Sequence, residues 1–237
     1  MSCAAAASSA PEAPRPGRGP PPDRLAALDP GRRRVGLLGG SFNPAHDGHR
    51  HLSLWALRRL RLDCVWWLVS PQNPLKATAG MAPLGRRLAE ARRVARHPAI
   101  RVTDVERALG TRYTADTLRA LTGRFPRARF VWLMGADNLR QIRRWKRWDS
   151  IFMRLPVAVF DRPSYALGAL SGMAARRFAR NRIPASAAPS LANRSAPAWT
   201  FVRMPLHPAS ATRIREGRAS YRRPAPSAHS AQQEVTP

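Results

Sequence analysis

Two histidines, His46 and His49, stand three residues apart in the run GGSFNPAHDGHR (39–50), with His51 two positions further on. Three of the six histidines of the chain thus fall within six positions. The run follows the apolar stretch Val35-Gly36-Leu37-Leu38 and precedes a helix-like pattern. A strand that ends on glycines and turns into a helix leaves backbone N–H groups and the positive end of the helix dipole exposed, which is an anion site. Gly39 and Gly40 have no Cβ and let a ligand come close to the backbone. Pro44 stiffens the turn, and Asp47 is the expected N-cap. Two imidazoles added at that place point to phosphate, and to a phosphate whose charge grows in a transition state. Zinc is the rival reading, without a third ligand at familiar spacing, and a purely structural role is the other. The chain has no G-x-x-x-x-G-K-[ST] and no G-x-G-x-x-G.

The elements that must hold this turn can be read from periodicity. Apolar runs at 34–39, 64–69, 100–105, 128–134, 155–160 and 199–204 alternate little, as strands covered on both faces do. Helical patterns lie between them at 48–60, 83–96, 114–122, 138–153 and 165–179, with another at 210–217. In 48–60, Leu52, Trp55, Ala56 and Leu60 share a face; in 83–96 the stripe is Leu84, Leu88, Ala91 and Ala95. Such alternation predicts one α/β domain: a Rossmann-like, doubly wound parallel sheet over 34–218, binding ligands at the carboxyl ends of its strands. Residues 1–33, rich in Pro, Ala, Gly and Arg, read as a disordered extension, and 219–237 as a disordered tail.

Other chemistry-bearing residues fall at the same strand ends. Lys76 closes PQNPLK, shaped by Asn73 and Pro74, after the second strand. In a chain whose 41 Lys and Arg include only Lys76 and Lys146 as lysines, a lysine there suits a compact charge for phosphate, or is a chance survivor. Thr114 in RYTADTL opens a helix and is either a cap or a contact. In GADNL, Gly135 permits close approach, and Asp137 either accepts from ribose or adenosine hydroxyls or caps the helix. Trp145 and Trp148 in RRWKRW are at core-like spacing. Ser210, Thr212 and Arg215 in HPASATRIREG put hydroxyls and a guanidinium at another helix start, a second phosphate clamp.

These motifs, in order, resemble a known family. GGSFNPAHDGH fits the H-x-G-H signature of the nucleotidyltransferases. The lysine-serine-lysine-serine motif of the class I aminoacyl-tRNA synthetases is absent. WWLVSPQNPLK, RYTADTL, GADNL followed by WKRW, and SATRIR occur in the order seen in bacterial nicotinate-nucleotide adenylyltransferases, over about residues 34–217. The resemblance implies adenylyl transfer from ATP, aided by Mg2+, to nicotinate mononucleotide. It implies that His46 and His49 bind the ATP phosphates, that Gly39, Gly40, Ser41 and Phe42 line the nucleotide cleft, and that the SATRIR motif holds the triphosphate. It further implies that Tyr113 and Thr114 meet the nicotinate moiety and that Trp145 stacks on the pyridine ring, with Trp148 as packing. Related acceptors, nicotinamide mononucleotide or phosphopantetheine, are the alternatives within the superfamily.

The net charge of +27 raises a different class, a basic nucleic-acid-binding protein. Because the charge is nearly all arginine in an Ala- and Pro-rich chain, it reads as a compositional bias spread over solvated surfaces, and a specific nucleic-acid partner is not expected. No apolar run suits a membrane span. With only Cys3 and Cys64, neither a disulfide framework nor a cysteine zinc site is available, which suits the cytoplasm. The oligomeric state stays open, a homo-oligomer included.

Overall fold

The computed structural model describes residues 23–71, 80–162 and 165–205, and beyond these positions 207, 209, 211, 214 and 217. The strands are β1 (Arg34–Gly40), β2 (Cys64–Val69), β3 (Ile100–Thr103), β4 (Arg129–Gly135), β5 (Val157–Phe160) and β6 (Trp199–Val202). They form one sheet, parallel throughout, in the order β3-β2-β1-β4-β5-β6. The order reverses between β1 and β4, and the crevice at such a reversal, beyond the carboxyl ends of the strands, is where open α/β sheets take their ligands.

Each strand is apolar on both sides because helices cover both faces. Val35, Leu37, Trp66, Leu68, Phe130, Trp132 and Met134 lie in one buried cluster. Their sequence neighbours Leu38, Val65, Trp67, Val69, Val131 and Leu133 lie in the other. This is the period-two alternation of a strand, with neither face left to solvent. Helices α2 (Asp47–Arg59) and α3 (Leu84–Ala95) contribute to the second cluster. To the first cluster belong residues of α4 (Val105–Ala108), α5 (Thr114–Arg124), α6 (Ala136–Gln141), α7 (Trp148–Arg154), α8 (Ala166–Leu170) and α9 (Met173–Arg177). All six expected strands are present, and the Rossmann-like sheet is as read from the sequence.

Two expectations need correction. The helix expected over 138–153 is broken: α6 passes into a 3-10 turn at Ile142–Arg144, and Trp145 is extended (ψ 139) before Arg147 adopts a left-handed φ of 52°. The indole of Trp145 lies edge-on to Trp132, centroids 6.4 Å apart. Tertiary packing here overrides a helical pattern. The helix expected over 165–179 is split between Leu170 and Met173 into α8 and α9. Of the stretch 1–33, the last part is described. A short helix, α1 (Asp23–Ala26), leads into β1, and Leu25 and Leu28 pack on the first cluster. Arg101 Nη1 donates to the carbonyl of Ala27 at 3.1 Å. Two leucines in an otherwise polar segment are enough to dock it, although too few to produce a visible period. The rest of that segment, and the tail from 218, lie outside the described residues.

Candidate active site

Helix α2 begins at the carboxyl end of β1, and its first turn carries the histidine pair. His46, not Asp47, is the N-cap: its backbone is extended (φ −150°, ψ 166°), and Asp47 is the exposed first helical residue. The N–H of His46 donates to Nδ1 of His49 at 3.2 Å. Since that nitrogen accepts, the neutral His49 ring carries its proton on Nε2 and keeps it as a donor. The two rings lie 3.9 Å apart. Beneath them, Trp67 Nε1 donates to Ser53 Oγ (2.8 Å), and that hydroxyl donates to the carbonyl of His49 (2.9 Å). Strand β2 thereby sets the height of α2.

His46 is 6% exposed, and its Nδ1 has no hydrogen-bond partner among the described residues. Burial, then the positive charges of Arg162 and His207, push its pKa down to about 3. It is therefore neutral near pH 7. The charge that sequence reading allowed at this histidine comes instead from Arg162, which follows β5. Arg162 Nε is 3.5 Å from Asp137 Oδ1, at the mouth of the β1–β4 crevice. Sequence reasoning missed Arg162; the available signal was a guanidinium two residues past a buried strand.

The glycines act differently from expectation. A Cβ on Gly39 would run into the ring of Trp132, so its missing side chain admits an indole. At Gly135 a Cβ would overlap Asp137 Oδ1 and meet Arg162 Nε at 3.0 Å, so this glycine makes room for the ion pair. Gly135, not Asp137, caps α6. A Cβ on Gly48 would meet the carbonyl of Ala209 and Nδ1 of His46, both at 2.9 Å. The middle glycine of H-x-G-H thus lets the chain after β6 lie against α2. His51 Nε2 donates to the carbonyl of Pro205 at 2.8 Å, and its ring is 5.4 Å from that of His207, which holds the same segment. Ser210, Thr212 and Arg215 belong to this segment but lie outside the described residues, as do Asn73, Pro74 and Lys76.

Phe42 is 2% exposed, with a left-handed φ of 46°, and its ring stacks on Trp67 (5.0 Å) and lies 4.7 Å from His49. Its ring is engaged in packing, which leaves its backbone facing the turn. Ser41 is buried, and its carbonyl accepts from Arg87 Nη1 at 2.7 Å. Arg87, 1% exposed on α3, also donates to the carbonyls of Ala82 (2.8 Å), Ser70 (2.7 Å) and Pro71 (2.8 Å). Burial lowers its pKa. One guanidinium therefore ties together the exits of β1 and β2. It also lay outside the sequence reading, although an arginine on the apolar stripe of a helix was a visible sign.

On the other side of the switch point, Tyr113 and Thr114 open α5 and the segment of Trp145 is tied to it through Lys146 and Arg147, while Lys76 lies outside the described residues. Tyr113 is the N-cap of α5 and Thr114 its first residue, so Thr114 is not the cap. Lys146 Nζ sits 4.5 Å over the Tyr113 ring, and Arg147 forms an ion pair with Asp116. These contacts draw the extended segment of Trp145 onto the start of α5. Trp148 packs on Phe152 and Phe178, as expected.

Residues 37–217 match the cytidylyltransferase-like family. The chain is 56% identical over 182 residues to a probable nicotinate-nucleotide adenylyltransferase of Methylorubrum extorquens, covering 77% of this chain and 98% of that protein. It is 55% identical over 193 residues to the protein so named from Parvibaculum lavamentivorans, covering 81% and 96%. The fold is similar to that of Plasmodium falciparum nicotinic acid mononucleotide adenylyltransferase complexed with NaAD, with a TM-score of 0.59 at 14% identity over 78% of this chain and 83% of that one.

Proposed function

Because the chain belongs to the cytidylyltransferase-like family, and within it to the nicotinate-nucleotide adenylyltransferases, we propose that it transfers the adenylyl group of ATP to nicotinate mononucleotide. The products are nicotinate adenine dinucleotide and pyrophosphate, a step of NAD biosynthesis that on this reading runs in the cytoplasm. One observation carries the reading: His46 and His49 cap a helix that starts at the switch point of the sheet, with Arg162 in the same field. Backbone amides, two neutral imidazoles and a guanidinium form a site for a triphosphate.

A phosphate oxygen of the acceptor attacks the α-phosphorus in line; the new P–O bond forms as the bond to the bridging oxygen breaks, and its electron pair leaves with pyrophosphate. No protein nucleophile is needed, so the protein positions the partners and stabilises charge. His49 does this through Nε2–H. Ser210, Thr212 and Arg215 hold the triphosphate, Asp137 and the backbone of Gly39–Phe42 hold the nucleoside, and Lys76, Tyr113, Thr114 and Trp145 take the acceptor.

Among the described residues no cluster of three His, Cys, Asp or Glu could hold a metal ion. That suits magnesium carried by phosphate oxygens and water, which requires one or two carboxylates at most. Asp137 would be the carboxylate that holds it: its buried Oδ1 makes no hydrogen bond among the described residues and faces Arg162 Nε at 3.5 Å, a contact that magnesium would share. Magnesium bound there would neutralise charge on the phosphoryl oxygens.

Pyrophosphate release with a panel of acceptors tests the assignment. Nicotinate mononucleotide should have the highest kcat/KM. Equal or better turnover of nicotinamide mononucleotide or phosphopantetheine would reassign the substrate.

A further inference from the structure

We propose that Glu106, a buried carboxyl outside the ATP-binding half of the site, is a positioning residue that sets the acceptor pocket; this rests on the acceptor assignment above. Glu106 lies in α4, directly after β3, and is 6% exposed. No arginine or lysine pairs with it among the described residues. Ser70, at the exit of β2, and Thr117, one turn into α5, hydrogen-bond its carboxyl, with Thr117 Oγ1 3.5 Å from Oε1. Oε2 has no partner among the described residues. Burial pushes the group up to about 7, so it spends much of its time as a neutral acid able to donate a hydrogen bond.

The groups around it form a connected set. Thr111 N–H donates to the carbonyl of Glu106 at 3.0 Å. The Thr111 and Thr117 hydroxyls are 2.9 Å apart, and the Thr117 hydroxyl also reaches the carbonyl of Tyr113 at 3.3 Å. Glu106 thereby touches the exit of β2 through its carboxyl and Ser70, the turn before α5 through its own backbone carbonyl, and, by way of Thr117, the backbone of Tyr113. The first leads into the stretch that contains Lys76; the last is the start of the helix proposed to meet the nicotinate moiety. A leucine or methionine would fill the same volume without burying a polar group. What a carboxyl adds is a hydrogen-bonded link between the exit of β2 and the first turn of α5, the two places proposed above to meet the acceptor. The His46–His49–Arg162 half lies across the switch point and makes none of these contacts.

The acceptor and ATP should therefore respond differently. In Glu106→Ala, KM for nicotinate mononucleotide should rise about tenfold or more, while KM for ATP and kcat stay within about twofold. Glu106→Gln keeps a donor, an acceptor and the shape, and should restore KM for the acceptor to within about threefold. Thr117→Val, which cuts the link from the carboxyl to Tyr113, should move the acceptor KM in the same direction as Glu106→Ala; it carries the test should the alanine variant fail to fold. Unchanged acceptor KM in the folded variants overturns the proposal, and so does an equal rise for both substrates. Turnover by the wild-type enzyme decides the acceptor assignment separately. If it prefers another acceptor, that assignment falls, and the same variants test Glu106 with the preferred substrate.

Discussion

His49 accepts the N–H of His46 at Nδ1, so the proton of its neutral ring stands on Nε2. Replacing it with alanine removes a donor at the helix terminus but leaves the amides and the dipole. A lost charge-stabilising donor lowers kcat by about 10²–10³, or roughly 3–4 kcal/mol of barrier. For His49→Ala that loss should appear in kcat, with a smaller change in KM for ATP. His49→Asn, which keeps an N–H, should fall between the two. Steady-state kinetics with circular dichroism as the folding control checks this, and near-normal kcat in the alanine variant would return His49 to a structural role. Gly48 makes a different demand. Its missing Cβ leaves room for the carbonyl of Ala209, so Gly48→Ala pushes the 205–211 segment off α2. KM for ATP should then rise about tenfold, because that segment leads into the proposed triphosphate clamp, and kcat should fall as well, because the same Cβ meets His46 Nδ1 at 2.9 Å.

At the scale of elements, Arg87 joins α3 to the ends of β1 and β2 through four carbonyls. Arg87→Met leaves these buried acceptors without their donor. The expected cost is about 3–4 kcal/mol of stability, read as a lower urea midpoint, and Arg87→Lys should recover only part because an ammonium lacks the planar fork. The N-terminal docking makes a second demand. Truncation to residue 31 removes Leu25 and Leu28 from the first cluster and the Ala27 carbonyl from Arg101. Two half-buried leucines correspond to about 2 kcal/mol. A melting temperature lowered by several degrees is expected, and no change would show that the docking is incidental.

Stability of the whole molecule should depend on pH through two buried groups of opposite sign. Glu106 has its pKa raised from 4.5 to about 7 by burial. Its contribution is fully present below pH 4.5 and is lost as pH rises through 7, because the folded chain then gives up a proton it holds more tightly. His46 has its pKa lowered from 6.5 to about 3. Its contribution is fully present above pH 6.5 and is lost as pH falls toward 3. Each full shift corresponds to roughly 3–5 kcal/mol. The two slopes oppose one another between about pH 4.5 and 6.5, so the melting temperature should pass over a plateau there and fall on both sides. Glu106→Gln should remove the alkaline fall and turn the plateau into a continued rise toward pH 6.5, where the His46 slope is left unopposed; an unchanged profile would assign the loss to other groups.

The strands, their covered faces and the parallel sheet were legible because apolar periodicity is local: Val35 to Leu38 or Phe130 to Met134 announce burial on both sides wherever they stand. The H-x-G-H turn was legible for the same reason, since strand, glycine, histidine and helix follow one another along the chain. What each residue does there was decided by neighbours distant in sequence. Gly39 is a glycine because of Trp132, Gly48 because of Ala209, and Gly135 because of Asp137 and Arg162. The His46 pKa is low through burial and through Arg162, more than a hundred residues away. Arg87 and Glu106 escaped notice because a charged letter reads as solvent-facing until the carbonyls or hydroxyls that satisfy it are seen. Local pattern determined the fold and the family of motifs. Only the tertiary structure decided which side chains are neutral, which are packing and which hold the loops, since desolvation and hydrogen bonding are set by atoms that the chain brings together only when folded.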